Sequence, residues 1–201
     1  VHSLDVGFDP ESGRLTVETD SGETAEFTLP TERDRASAWF SDVFGDEFTL
    51  ERDGDRGFVD RPGMGPSVVS TATLETVASW FDGLTVESVR RRLRANVEVG
   101  GVPAFWEDRF VGDDAPAFTV GGVRFEGVTP CGRCVVPSRD PDTGEALPAF
   151  REQFVRKRRE TFPDFADPDA FDHYFAVMIL ARVPAAPDRP TLRVGEQVET
   201  I

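Results

Sequence analysis

The feature that most constrains this fold is the division of the chain into short apolar segments by glycine and proline. The 201 residues include 18 glycines and 15 prolines. Residues 13–20 and 23–29 alternate apolar and polar positions on either side of Ser21-Gly22, a pair typical of a β-hairpin turn. Gly121-Gly122 separates two further segments of this kind. Many short strands joined by tight turns predict a β-barrel architecture rather than a parallel α/β sheet.

Apolar residues at helical spacing interrupt the strands in four places. We expect a helix from Thr31, as its N-cap, to Phe44, with Gly45 ending it. The other helices are expected at 71–80, with Thr71 or Thr73 as the cap, at 85–94 and at 149–162. Further strands are expected at 47–52, 67–70, 96–99, 117–120, 123–128, 134–138 and 173–183. The predicted fold class is therefore mainly β with inserted helices (α+β), and turn signals at 61–66 predict a division into residues 1–66 and 67–201.

The chain is strongly acidic. It carries 37 Asp and Glu against 22 Lys and Arg, a formal net charge of −15, and Lys157 is its only lysine. An acidic partner-binding surface is one interpretation. We favour a halophile-like protein of a high-salt cytosol, where dense carboxylates keep a protein hydrated and salt screens their repulsion. Because so little cationic surface is available, no nucleic-acid partner is expected.

No targeting or membrane segment is recognisable. The sequence has no run of 18 apolar residues, so no membrane span is expected. It begins VHSLDVGF, without an initiator methionine and without the charged-then-apolar pattern of a secretory signal. We therefore expect a cytoplasmic protein whose natural N-terminal segment is missing from these residues.

The two cysteines, Cys131 and Cys134, form a Cys-x-x-Cys pair that admits four interpretations. A structural zinc site normally has four ligands, and His2 and His173 lie without ligand spacing. A thioredoxin-like dithiol needs a helix N-terminus, which the following Val135–Pro137 disfavours. The third interpretation is a pair of reduced, packed thiols. The fourth is a thiolate ligand for a soft or high-valent metal that a separate cofactor carries.

An anionic cofactor would also need arginines, amides and helix N-termini to bind it. Candidate groups at two helix–strand junctions are Ser70, Thr71, Thr73, Arg90, Arg91, Arg92, Arg94 and Asn96. The threonines are equally compatible with ordinary helix capping, and the arginines with a solvated helix face that pairs with carboxylates. The turn at 140–144 is better explained as a connection in which Asp140 or Asp142 bonds its own backbone.

Several motifs in order resemble the MOSC domain, the β-barrel domain at the C-terminus of molybdenum-cofactor sulfurase. They are RRLRANVEVGG (91–101), FWEDRFVG (105–112), FTVGGVRFEGVTPCGRCVVPSRDPDTGE (118–145) and LRVGEQVE (192–199). Within that family the likeness is greatest to the amidoxime-reducing subgroup, and it covers about residues 67–201. Residues 1–66 resemble part of the family's N-terminal β-barrel domain, truncated at its first strands. The resemblance thus implies a MOSC-type β-barrel plus a truncated N-terminal barrel-like subdomain.

The resemblance also implies a function. Family members bind a molybdenum cofactor, Mo-molybdopterin, whose metal takes one further sulfur from a protein cysteine. Members of the subgroup reduce N-hydroxylated small molecules with electrons from a partner redox protein, whereas others have been proposed as sulfur carriers. In sulfurases the domain is joined to a pyridoxal-phosphate-dependent desulfurase, which has no counterpart in these residues. We therefore expect an oxidoreductase of N–O substrates or, alternatively, a non-catalytic carrier of cofactor or sulfur.

Residue by residue, the resemblance implies that Cys134 is the metal ligand and catalytic residue, with Cys131 as the alternative. Ala95 stands where many members have proline. The family's lysine-containing N-terminal segment, which helps to bind the cofactor, has no match in these residues. The expected cofactor-binding residues are Ser70, Thr71, Thr73, Arg94, Asn96 and Arg133.

Overall fold

The computed structural model describes residues 4–53, 64–184 and 191–201. Its α-helices are α1 (Leu29–Phe44), α2 (Thr71–Ser79), α3 (Val86–Leu93) and α4 (Phe150–Glu160). Its strands are β1 (Leu4–Asp9), β2 (Arg14–Thr19), β3 (Thr24–Thr28), β4 (Ser67–Ser70), β5 (Val97–Val99), β6 (Phe118–Val120), β7 (Val123–Gly132), β8 (Ala176–Arg182) and β9 (Val198–Thr200). The predicted α+β class is confirmed. Over the ranges described, every helix is too short or too polar to cross a membrane.

The chain forms two compact units, Val1–Asp60 and Arg61–Ile201. Of the turn-rich residues at 61–66, the first three lie outside the described part of the chain, and the last three are neither helix nor strand. The domain boundary predicted between residues 66 and 67 therefore remains a prediction.

The first unit is an antiparallel sheet of order β1–β2–β3 with helix α1 packed against it. Alternation along β2 and β3 places Leu15, Val17 and Phe27 on one face, where they are buried together with Ala36 of α1. Helix α1 ends at Gly45, as predicted, and the φ of 68° at this residue is a left-handed conformation that glycine adopts without strain. The identification of this unit as a truncated barrel domain remains a prediction.

Helix α1 does not begin where the sequence pattern predicts. It starts at Leu29 rather than after Thr31, since Pro30 suits a first helical turn, where the backbone N–H has no helical partner. The Glu32 carboxylate accepts a hydrogen bond from the Thr28 N–H (2.8 Å) and so satisfies a donor at the helix start. The predicted Thr31 cap is therefore wrong by about one helical turn.

The strand predicted at residues 47–52 is also wrong. These residues have no regular structure, because their backbone donors bond to side chains of α1 rather than to a neighbouring strand. The Phe48 N–H donates to Ser41 Oγ (2.9 Å), and the Leu50 N–H donates to Ser37 Oγ (2.8 Å).

The second unit is a six-stranded sheet of order β5–β4–β8–β7–β6–β9 that curves into a nearly closed barrel. Its neighbouring strands pair antiparallel except β4 and β5, which are parallel. The interior is an apolar cluster whose fully buried members include Val68, Phe110, Phe118, Phe125 and Ile179. A second apolar cluster joins α2, α3 and α4 to the sheet. The predicted barrel architecture is therefore confirmed.

Two details at one edge of this sheet differ from the prediction. Helix α2 is capped by Ser70, whose Oγ accepts the Thr73 N–H (3.1 Å), rather than by either of the predicted threonines. Residues 134–138 are not a strand. Because Pro137 has a fixed φ and no N–H, Val136–Ser138 form a 3₁₀ turn instead.

Gly127 lies at a bulge of β7, where the pairing register with β8 shifts. A Cβ at this position would lie 1.8 Å from the Phe110 carbonyl oxygen, so the backbone would have to move. We expect Gly127→Ala to lower the free energy of unfolding by about 3 kcal/mol in urea denaturation. Gly100→Ala is the control, because its Cβ would meet only Thr71 Oγ1, at 3.9 Å. Equal stability of the two variants would contradict the close approach.

Candidate functional site

The two cysteines lie at the C-terminal end of β7 but have opposite environments. Cys131 is 8% exposed and belongs to the apolar cluster that also contains Leu93. Cys134 is exposed, and the two apolar side chains that follow it, Val135 and Val136, are 64% and 46% exposed. Of the two thiols, that of Cys134 is therefore the one open to an incoming cofactor or partner.

Arg133 connects the segment that contains both cysteines, residues 131–134 (the cysteine segment), to the end of α3. Its Nη1 donates to Cys131 Sγ (3.2 Å), and its Nη2 donates to the Leu93 carbonyl (3.1 Å). Its backbone N–H donates to the Phe175 carbonyl (2.9 Å). Its Nε is buried and has no hydrogen-bond partner among the described residues, and an unsatisfied buried donor costs about 1–3 kcal/mol. One donor of the guanidinium group therefore remains unsatisfied by the described residues.

Arg94, the residue after Leu93, has an unusual backbone conformation and an unpaired side chain. Its φ of 57° is left-handed, a conformation that costs a non-glycine residue on the order of 1 kcal/mol. Its side chain is exposed and forms no ion pair with any residue that the structure describes. Because Arg133 Nη2 donates to the Leu93 carbonyl, the guanidinium group of Arg133 lies beside the backbone from which the Arg94 side chain extends.

The first two arginines of α3 are used internally. Arg90 pairs with Glu98 (2.7 Å) and Glu87 (2.5 Å), and Arg91 pairs with Asp142 (2.6 Å). These contacts match one alternative given from the sequence, in which the arginines form a solvated helix face that pairs with carboxylates. Exposed pairs of this kind contribute little to stability.

Arg92 differs because its side chain is buried, with only 5% of the residue exposed. It donates to the carbonyls of Pro137 (3.2 Å) and Arg139 and to the Asp140 carboxylate (3.1 Å). Burial lowers the pKa of Arg92, and the nearby Asp140 charge opposes that shift. Arg92 therefore holds the loop that follows Cys134 against α3.

The turn at residues 140–144 bonds its own backbone, as the sequence favoured. Asp140 Oδ1 accepts the N–H groups of Asp142 and Thr143, both at 3.0 Å. These hydrogen bonds, with that of Thr143 the strongest, hold the pKa of Asp140 below its ordinary value. The turn is therefore held by its own hydrogen bonds, and Arg92 contacts it through the Asp140 carboxylate.

The corner between β4 and α2 is internally satisfied. Ser70 and Thr73 are fully buried, and their hydroxyl groups share a hydrogen bond of 2.8 Å. Thr73 Oγ1 also accepts the Phe105 N–H (2.6 Å). Thr71 is half-buried and donates to the Glu98 carboxylate (2.8 Å). These three hydroxyl groups therefore fix the shape of the corner.

Asn96 lies at the other end of β4. Its Oδ1 accepts hydrogen bonds from the Ser67 N–H and hydroxyl group, both at 2.9 Å. The parallel register pairs the next residue, Val97, with Val68. Three strand residues of about 3.3 Å each separate Ser67 from Ser70, so Asn96 is about 10 Å from the corner along β4.

The register decides which predicted residues share an edge of the sheet. Val68 of β4 pairs with Ile179 of β8, and Ala176 of β8 pairs with Gly132 of β7. The corner that begins at Ser70 therefore lies at the same edge as the cysteine segment, whereas Asn96 lies at the opposite edge. Within the described residues, no three His, Cys, Asp or Glu side chains lie close enough together to hold a metal ion among themselves.

A buried charged cluster that was not predicted from the sequence consists of Glu107, Asp108 and Arg158. Each of these residues is at most 1% exposed. Arg158 donates to the Asp108 carboxylate and to the Ala176 carbonyl (3.3 Å), and it lies over the Phe105 ring (4.1 Å). Three polar atoms of the cluster, one on each residue, have no partner among the described residues. The available signal was a pair of acidic residues inside the apolar segment FWEDRFVG, but residue type alone does not reveal burial.

The cluster supports the corner electrostatically. Burial raises the pKa of Glu107 to about 8, and the neighbouring Asp108 adds to the rise. Burial also raises the pKa of Asp108 to about 6, against the opposing effect of Arg158. Glu107 Oε2 accepts the Ser70 N–H (3.2 Å). A carboxyl group that is largely protonated at neutral pH therefore holds the start of α2.

Comparison with known proteins adds one finding. The family model described as the MOSC domain matches residues 63–199, which is more than half of the chain. No curated protein was found to match. The matched range includes the cysteine segment, helix α3 and the buried charged cluster.

We expect Arg92→Met to loosen the loop after Cys134, because methionine fills similar apolar space but donates no hydrogen bond. The variant should lose about 2 kcal/mol of stability and exchange amide hydrogens faster across residues 135–146, as measured by mass spectrometry. Arg90→Met is the matched control, because it removes ion pairs to Glu87 and Glu98, which lie outside this loop, and it should leave exchange across residues 135–146 unchanged. Equal exchange in the two variants would show that Arg92 does not hold the loop.

The buried Glu107 carboxyl group predicts a stability that falls as the pH rises. Its folded-state pKa of about 8 lies above the ordinary value of 4.5. Its contribution is therefore complete below pH 4.5 and is lost as the pH rises through 8. We expect Glu107→Gln to flatten the fall in unfolding free energy between pH 7 and pH 8, where Asp108, with a pKa of about 6, is already mostly ionised. Urea denaturation at several pH values measures the unfolding free energy, and Glu75→Gln, at an exposed position, is the control. If Glu107→Gln leaves the pH dependence of the unfolding free energy unchanged, Glu107 does not have the raised pKa.

Proposed function

This chain belongs to the MOSC domain family, and from this premise we propose that it binds the molybdenum cofactor beside Cys134 and reduces N-hydroxylated small molecules. One observation carries the proposal. An exposed thiol, Cys134, follows directly on Arg133, whose buried Nε has no partner among the described residues. Arg94, which pairs with none of the residues that the structure describes, is one residue from Leu93, to which Arg133 is bonded.

The donor set fits an anionic, metal-bearing cofactor. A thiolate is a strong ligand for soft or high-valent metals, and the planar guanidinium group is a preferred bidentate partner of phosphate and carboxylate groups. Arg133 and Arg94 each have donors that no described residue uses. A ligand anion would satisfy the buried Nε of Arg133 and offset the cost of leaving it unbonded.

The proposal gives each residue a separate role. Cys134 supplies one sulfur ligand, while Arg94 and Arg133 bind anionic groups of the cofactor. Ser70, Thr71 and Thr73 maintain the corner that lines the pterin pocket. Asn96 acts indirectly, because it lies at the edge of the sheet opposite to the cysteines, where its Oδ1 fixes the start of β4 by accepting hydrogen bonds from Ser67. When bound, the cofactor supplies the oxygen-abstracting, two-electron chemistry.

The overall reaction balances with a one-electron donor protein as co-reactant. The N–O bond of the substrate breaks, and its oxygen leaves as water. Two donor molecules supply the two electrons, and the solvent supplies the two protons. Within this reaction, the chain positions the substrate beside Cys134 and provides arginine charge for anionic groups.

A second candidate function is a carrier that takes up sulfur as a persulfide on Cys134. The observation that favours it is the exposure of Cys134 with two exposed valines after it, since a partner protein must reach the thiol. The sulfur would come from the cysteine persulfide of a desulfurase, which transfers its outer sulfur and keeps a thiol. Cys131 is the alternative acceptor that the sequence left open.

The test is Cys134→Ser in protein loaded with the molybdenum cofactor. We expect reduction of a test amidoxime, supported by a small-molecule reductant, to fall to below about one hundredth, because the sulfur ligand of the metal is lost. Cys131→Ala is the control and should retain activity. Molybdenum and pterin contents measured on each variant separate loss of the ligand from loss of the fold.

Three outcomes would overturn the proposal. Full activity of Cys134→Ser would exclude this residue as the ligand, and loss confined to Cys131→Ala would move the ligand to Cys131. A wild-type protein that holds cofactor and turns over no N-hydroxylated substrate, yet gains one sulfur atom on Cys134 after incubation with a desulfurase, would establish the carrier function instead. Mass spectrometry measures that mass increase.

A further inference from the structure

Helix α4 carries a cationic groove on an otherwise acidic chain. The groove has a volume of about 900 Å³ and lies between α4 and the loop that follows Cys134. Residues that line it include Arg151, Arg156, Arg159, Leu147, Phe150 and Val155. Two carboxylates, Glu152 and Glu160, line it as well. We call this surface the α4 groove.

Two of the three arginines that line the α4 groove pair with no carboxylate of the described residues. Arg151 and Arg159 are exposed, and they contact the rings of Phe175 (5.5 Å) and Tyr174 (5.2 Å) rather than a carboxylate of the described residues. Arg156 lies 4.0 Å from Glu160, at the limit of an ion pair. By contrast, close pairs occupy the arginines of α3 and of β7 and β8, such as Arg90, Arg91 and Arg182.

This local excess of positive charge is unusual for a chain of net charge −15. The rest of the surface repels an acidic protein, whereas the α4 groove attracts it. Opposed patches of this kind orient an encounter and raise its rate more than they raise affinity. The groove also offers apolar contact through Leu147 and Val155, which are half-buried, and an interface needs such contact once charges have met.

The α4 groove is close to the proposed redox centre. Ser138 lines the groove and is four residues after Cys134, so their Cα atoms are at most about 14 Å apart. Between them lie Val135 and Val136, whose exposed side chains extend the apolar surface from the groove toward the thiol. Arg92 holds this connecting loop in place.

We propose that the α4 groove docks an acidic, one-electron carrier protein that delivers electrons to the centre at Cys134. This inference rests on the proposed function and names the surface through which the donor acts. A mixed cationic and apolar groove near a thiol, on a chain of net charge −15, fits an acidic globular partner. A nucleic acid or an anionic membrane would contact a larger area of this acidic chain and be repelled by it.

The experiment uses cofactor-loaded protein, a test amidoxime and two electron sources, an acidic [2Fe–2S] ferredoxin and reduced methyl viologen. The variant is the triple charge reversal Arg151→Glu, Arg156→Glu and Arg159→Glu. We expect its KM for ferredoxin to rise by about tenfold or more, with loss of the salt dependence between about 0.1 and 1 M that wild type shows. Its rate with methyl viologen should equal that of wild type.

The control carries the same change in net charge at exposed or half-buried arginines that do not line the groove, Arg33→Glu, Arg52→Glu and Arg193→Glu. It should keep the wild-type KM for ferredoxin. An unchanged KM in the groove variant, or an equal rise in both triple variants, would overturn the docking site.

A binding measurement separates failure of the docking site from failure of the proposed function. Calorimetric titration of ferredoxin into the wild-type and groove-variant chains reports docking whether or not turnover occurs. Loss of binding in the groove variant alone supports the site even when neither electron source supports reduction, which would count only against the enzyme function. Wild-type binding to an anionic vesicle or to nucleic acid, with none to ferredoxin, would refute the proposed partner.

Discussion

The buried guanidinium group of Arg92 is the contact on which the geometry of the candidate site depends most. It fixes the loop after Cys134 to α3 through two carbonyl groups and the Asp140 carboxylate. Arg133 fixes the segment before that thiol to the last turn of the same helix. The thiol of Cys134 is therefore restrained from both sides while it remains exposed. A restrained ligand loses little conformational freedom on binding, so more of the interaction energy appears as affinity.

In so acidic a chain, an arginine without a carboxylate partner indicates a candidate binding surface for an anion. With 37 acidic and 22 basic residues, many guanidinium groups of the described residues have a carboxylate within reach, as those of Arg90 and Arg91 do. An arginine that stays unpaired in such surroundings has been kept away from carboxylates by the fold. Within the described part of the chain, Arg94 is such a case beside the cysteine segment, and Arg151 and Arg159 are such cases in the α4 groove. Composition alone predicted a halophile-like surface and gave no sign of these local exceptions.

Local patterns predicted most of the architecture, because hairpins and helices are encoded by neighbouring residues. The Ser21-Gly22 and Gly121-Gly122 turns, the α+β class and the barrel follow from alternation and turn chemistry. The wrong assignments at residues 47–52 and at the start of α1 arise where side chains take over backbone hydrogen bonds, which a pattern of apolar residues does not register. The site was predicted only as a set of residue types, since spacing treats Cys131 and Cys134 alike. Tertiary packing distinguishes them by burying the first and exposing the second.

The buried charged cluster links the two surfaces that the proposals use. Burial of an ion pair such as Arg158–Asp108 adds little net stability, because desolvation offsets the attraction, so its main effect is on position. Arg158 lies on α4 and donates to the Ala176 carbonyl, and Ala176 pairs with Gly132 just before the cysteine segment's exposed half. Glu107, next to Asp108, holds the Ser70 corner at the same edge of the sheet. The inner face of α4, the corner and the end of β7 are therefore fixed to one another through three charged residues. An apolar cluster of equal volume would fill the space but would lack the directional hydrogen bonds that set these positions.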